Sequence, residues 1–95
     1  MFNTINSFRI MSALESAAKN AASRNEDMTA HYLGKAEKIL AKTMITHASQ
    51  VRAYIALYER VLAAAQGMKS DTIPIREHCE EMKTRLEEYM SSRIS

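Results

Sequence analysis

The sequence predicts an all-α fold, a three-helix antiparallel bundle or coiled-coil-like hairpin organised on one long central helix. Apolar residues recur at steps of three and four through nearly the whole chain, and no segment alternates as a half-buried strand does. The apolar face of the stretch from Asn25 to Gln66 is too wide for a single neighbour. Finally, Gly67 and the only proline, Pro74, bracket one polar turn, which divides that stretch from a last helix.

In chain order, Met1 to Ser7 reads as a frayed lead-in capped at Asn6 or Ser7. A first helix follows over about 8–23. Ile10, Met11, Leu14, Ala17, Ala18 and Ala21 share its inner side, while Arg9, Ser12, Ser16, Lys19, Asn20 and Ser23 share the outer one. Alanine lets a neighbouring backbone approach closely but buries little area, so this helix is expected to be the weakest. The break at Ser23-Arg24-Asn25 offers Asn25 as N-cap, with Glu26 and Asp27 placed to complement the dipole of the first turn.

The long helix is expected over about 26–66. Leu33, Ala36, Leu40, Met44, Val51, Ile55, Tyr58, Leu62 and Ala65 form one stripe. A second line runs through Met28, Tyr32, Ile39 and Thr43, then through Tyr54, Leu57, Val61 and Ala64. Together they cover roughly 160–200° of the circumference, where one partner needs a little over ~100°. Two neighbours are therefore implied. Gly34 lies inside this helix, on its polar side, at a cost of about 1 kcal/mol relative to alanine.

The third helix is expected over about 74–92, with proline tolerated in its first turn. Ile75, Cys79, Met82, Leu86 and Tyr89 step by four and three, a narrow seam that wants one partner. A short connection makes that partner the Val51 to Ala65 segment, packed antiparallel. By the same logic the first helix folds back on the Met28 to Met44 segment. At 95 residues this is a single domain with a modest core, for which self-association or a permanent partner is expected.

The net charge of +2 with 25% charged residues is ordinary, far from the basicity of a dedicated nucleic-acid binder. One cysteine excludes an intramolecular disulfide, and no paired Cys/His spacing suggests zinc. No apolar run approaches the ~20 residues of a membrane span, and the start lacks a secretory signal pattern. Cytoplasmic residence without membrane attachment is the expectation.

No catalytic, cofactor-binding or metal-binding residue is indicated. His47 falls in the middle of the expected apolar face and His31 on the polar one. His78 and Cys79 are neighbours in sequence and diverge by about 100° on a helix, so they do not chelate one ion. Glu15, Glu37 and Glu59 are isolated from one another, and no serine elbow or phosphate-cradling glycine loop is present.

The expected function is that of a non-enzymatic protein-protein interaction module, such as an adaptor, a secretion-type chaperone or an inhibitor. It would bind a partner helix, or a second copy of itself, through surplus apolar surface at Tyr54, Leu57, Tyr58, Val61 and Ala64. The alternative is a small dimeric nucleic-acid-binding regulator using a basic face of Lys35, Lys38, Lys42 and Arg60. It is less favoured, because no aromatics interleave those cations. The third helix is acidic outside, through Glu77, Glu80, Glu81, Glu87 and Glu88.

Overall fold

Thr43, Ile45 and Thr46 place three β-branched side chains within four residues, each a weaker helix former than alanine, leucine or lysine. The helix expected over 26–66 divides there. The computed structural model describes residues 2–43, 45, 47–66 and 73–93. It has α1 (Phe2–Ala22), α2 (Glu26–Leu40), α3 (Ala48–Ala65) and α4 (Ile73–Arg93), with no strand among the described residues. The three-helix architecture is thus corrected to four helices.

Local hydrogen bonds show how the division is made. After Leu40 the ladder tightens from i−4 to i−3, with Lys42 N–H donating to the Ile39 carbonyl at 3.0 Å and Thr43 N–H to the Leu40 carbonyl at 3.1 Å. Thr43 Oγ1 also donates to the Ile39 carbonyl at 2.7 Å, taking an acceptor that a continuing helix would use. The chain restarts at His47, which is extended (φ −125, ψ 133) and whose N–H donates to Gln50 Oε1 at 3.3 Å. His47 is therefore an exposed helix cap and not part of an apolar face.

The α1–α2 connection follows the sequence closely. Asn25 caps α2, its Oδ1 accepting from Met28 N–H at 3.1 Å, and Glu26 and Asp27 occupy the first turn. The same asparagine closes α1: its N–H donates to the Asn20 carbonyl at 2.8 Å while Arg24 N–H donates to that of Ala21 at 3.0 Å. This is a Schellman motif, and Arg24 holds its left-handed position with φ 61 where glycine is usual.

α1 begins earlier than the sequence predicts. Residues 2–7 are helical, and Ser7 is a tertiary partner instead of a cap: the Tyr54 hydroxyl donates to its Oγ at 2.7 Å. Far from being the weak member, α1 is the hub, packed against both α2 and α3. Ile10, Ala13, Leu14, Ala17, Ala18 and Ala21 are all buried. Small side chains permit this double contact, because alanine keeps both neighbours within packing distance of one backbone.

α3 has the two neighbours that its apolar width demands, α1 and α4. Cys79 and Leu86 of α4 are buried, flanked by the partly buried Ile75, Met82 and Tyr89, so the seam read from the sequence is the one that packs. Tyr89 donates its hydroxyl to the Ile45 carbonyl at 3.0 Å, tying α4 to the segment between α2 and α3. Lys83 pairs with Glu59 at 3.2 Å and Arg85 with Glu81. Pro74 lies in the first turn of α4 as expected. The predicted stop at Gly67, Met44 and all but the last residue of the turn expected from Met68 to Ile73 lie outside the described residues, and Ile73 already belongs to α4.

Candidate functional site

Tyr54, Tyr58 and Val61 are fully buried and Leu57 is 6% exposed; of the predicted protein-binding stripe only Ala64 remains half-buried. The stripe is core. The surplus apolar surface expected along α3 is occupied from within the chain by α1 and α4.

The basic residues fare differently. Lys35, Lys38 and Lys42 are exposed, and with His31 they step by four, three and four along the outer side of α2 and its final turn. Arg60 is also exposed, but on α3 and outside the grooves described next. In its place α1 contributes Arg9. Arg9 faces His31, Lys35 and Lys38 across a groove of about 390 Å³. An adjoining groove of about 250 Å³ shares Arg9 and Lys35 and adds Phe8, Ser12, Ser16 and Tyr32. Among the described residues no carboxylate lines either one.

Aromatic rings do therefore stand among these cations. Phe8 is 71% exposed, and Ile5, one turn earlier on α1, is 66% exposed. Lys35 Nζ lies 6.0 Å from the Tyr32 ring centroid, and His31 meets the same ring edge-on with centroids 5.1 Å apart. Phe8 and Arg9 were not identifiable as site residues from the sequence, because they join the lysines only once α1 has folded back on α2. The outer position of Arg9 on the first helix was the one available signal.

A second polar cluster lies where α2, α3 and α4 converge. The Tyr58 hydroxyl donates to Glu37 Oε2 at 2.8 Å, and His78 Nε2 sits 2.8 Å from Oε1 and 2.7 Å from Oε2 of the same carboxylate. With the proton on Nε2, His78 donates to both oxygens. Burial raises the Tyr58 pKa far above the ordinary phenol range, reinforced by the Glu37 charge and hydrogen bond. Burial likewise pushes the Cys79 thiol up to about 12, helped by Glu37 and Glu80. Cys79 is therefore a neutral core group, as its place in the seam predicts, and not an activated nucleophile.

Beside this cluster an open cleft of about 310 Å³ separates α2 from the start of α4. Its walls are Leu33, Gly34, Pro74 and Ile75, with Glu37 and His78 at one end. Glu37 and His78 are far apart in sequence, and each looked isolated or mispaired when read locally. Among the described residues no group of three His, Cys, Asp or Glu side chains is placed to hold a metal ion, and no helix is long and apolar enough to cross a membrane. No protein-family model, curated protein or solved structure matches the chain.

Proposed function

We propose that the chain is a non-enzymatic helical interaction module whose working surface is the α1–α2 face, and that it binds an acidic amphipathic helix. The observation that carries this reading is Phe8, a phenylalanine 71% exposed beside Arg9 and the Lys35-bearing groove. Large aromatic side chains and arginine are suited to anchoring an interface, and a helix laid in a groove needs apolar anchors of this kind. Lys35, Lys38 and Lys42 supply a rim that attracts carboxylates. An adaptor, a secretion-type chaperone and an inhibitor would use the same physics. A second copy of the chain offers an acidic helix face, since α4 carries Glu77, Glu80, Glu81, Glu87 and Glu88 on its exposed side while its apolar seam stays packed on α3.

Light scattering over a concentration series, at about 50 and about 500 mM salt, tests the simplest version. Self-association that weakens with salt, and is lost in Phe8→Glu and in the Lys35→Glu/Lys38→Glu pair without loss of helix, supports it. A salt-insensitive oligomer unaffected by these changes overturns the choice of surface. A monomer throughout assigns the bound helix to a different protein.

The interleaving of Phe8 and Tyr32 with Arg9, Lys35 and Lys38 favours one second reading, a single strand of nucleic acid with bases stacked on the rings and phosphates on the cations. A fluorescent oligonucleotide should then bind with an affinity that falls steeply as salt rises. Absence of binding near ~50 mM salt ends that reading.

A further inference from the structure

We infer that the cleft between α2 and α4 is a binding site for a small apolar ligand carrying a primary ammonium, seated over Gly34 with its nitrogen at the Glu37 carboxylate. Gly34 begins the argument. It occupies the interior of α2, where glycine is the least favourable residue after proline. Its backbone is not in the left-handed region, and a Cβ built on it meets no heavy atom within 4 Å. Among the described residues neither conformation nor close packing calls for glycine. What the missing side chain does is leave the wall of the cleft bare.

The cleft has the attributes of a small-ligand site. Its volume, about 310 Å³, is at the lower end of the range for such sites, and Leu33, Pro74 and Ile75 give it an apolar lining. One turn beyond Gly34, Glu37 presents a side chain that is 21% exposed. Tyr58 and His78 hold that carboxylate in one orientation, yet they occupy only three of its acceptor positions, and Oε1 keeps one for a ligand. Among the described residues no lysine or arginine lines the cleft, and with His78 neutral the Glu37 carboxylate favours an ammonium and repels an anion. An apolar body with a cationic donor at one end matches both halves of the site.

A free amine and the lysine side chain of another protein share this chemistry, and 2-phenylethylamine and n-butylamine separate them. Amide chemical shifts of the full chain are followed as each probe is added. With 2-phenylethylamine, saturable shifts are expected at Ala30, Gly34, Ile75 and His78, and 2-phenylethanol, which lacks the charge, should bind about tenfold more weakly, a factor equal to about 1.4 kcal/mol. Tighter binding of n-butylamine than of the aryl amine assigns the site to a lysine side chain, and the reverse to a free amine. Gly34→Ala should raise the melting temperature while weakening the shifts, because the new methyl favours the helix and projects from the wall on which the ligand rests. Glu37→Gln should keep the helices and erase the preference for amine over alcohol. Three results overturn the inference: no saturable shift at millimolar probe, equal binding of amine and alcohol, or full binding by Gly34→Ala. Shifts at Lys35 and Lys38 without shifts at Ile75 and His78 overturn it as well, since they place the probe in the basic groove, which Ala30 and Gly34 also line.

Discussion

The seams that α1 makes and the seam between α2 and α4 are built on opposite principles. α1 offers Ala13, Ala17, Ala18 and Ala21 with Ile10 and Leu14, all buried, and both of its neighbours close on it. α2 and α4 meet through Glu37 and His78, and beside that contact the two helices stand apart around an open cleft. Apolar area alone does not predict this outcome. Small side chains let helices approach until the seam excludes water, whereas a charged cluster keeps part of its surface hydrated and holds the helices off. The helix with an alanine-rich inner face thus becomes the hub, and the one with a glutamate on its flank borders the candidate ligand site.

The most severe way to break the closed side is to put a charge into it. Val61 is fully buried in α3, between the elements that cover both sides of that helix. Val61→Glu is expected to cost more than about 4 kcal/mol, through lost burial and an unpaired buried carboxylate, and to abolish cooperative folding. Circular dichroism melts check this. A well-folded Val61→Glu chain that has merely lost an oligomer would return the residue to a surface role.

Alkaline pH probes where the two sides touch, because Tyr58 and Cys79 are buried in the core next to Glu37. Both groups hold their protons more tightly in the fold than in the unfolded chain. The cysteine contribution is complete below its ordinary value of 9.0 and is lost progressively as pH rises from there toward about 12. Tyrosine adds its own loss above its ordinary 10.0. Each group lowers stability by up to about 1.4 kcal/mol per pH unit in that window. Melting temperatures should fall as pH rises above 9.0. Cys79→Ala with Tyr58→Phe should flatten the fall at the expense of a lower plateau.

Overpacking the hub is a milder test. Ala17 is fully buried, and Ala17→Leu adds volume that only separation of the helices accommodates, at an expected cost of about 1–3 kcal/mol. Denaturant melts give the number. A neutral result would show that α1 packs loosely and that its alanines do not set the spacing.

Much of this organisation is legible in the sequence where the signal is local and repeated. The stepping of Ile75, Cys79, Met82, Leu86 and Tyr89 gives the α3–α4 seam, Asn25 gives a helix start, and Pro74 a first turn. The division between Leu40 and Ala48 is not legible in the same way. Each β-branched residue there lowers helix propensity by only a few tenths of a kcal/mol, less than tertiary contacts add or remove. The role of α1 was missed because buried area, not closeness of approach, was weighed. Glu37 and His78 carry no local sign of each other at all, since the bond spans 41 residues and forms only where Tyr58 of α3 and the two helices converge.

The smallest expected effect lies in the turn that sets α2 against α1, and it asks whether strain there also keeps α2 off α4. Arg24 adopts φ 61, a conformation that costs a side-chain-bearing residue about 1–2 kcal/mol. Glycine removes that cost but loses roughly 0.5–1 kcal/mol through the greater freedom of the unfolded chain. The net gain for Arg24→Gly lies between about 0 and 1.5 kcal/mol and centres on about 0.75 kcal/mol, or roughly 3–6 °C in melting temperature for a domain of this size. The variant touches neither seam, so amide shifts at Gly34 and His78 should match those of the parent. Should they move, the turn and not the Glu37–His78 contact would govern the width of the cleft. The contrast between the closed and open sides would then come from how the hairpin is joined instead of from the side chains along it.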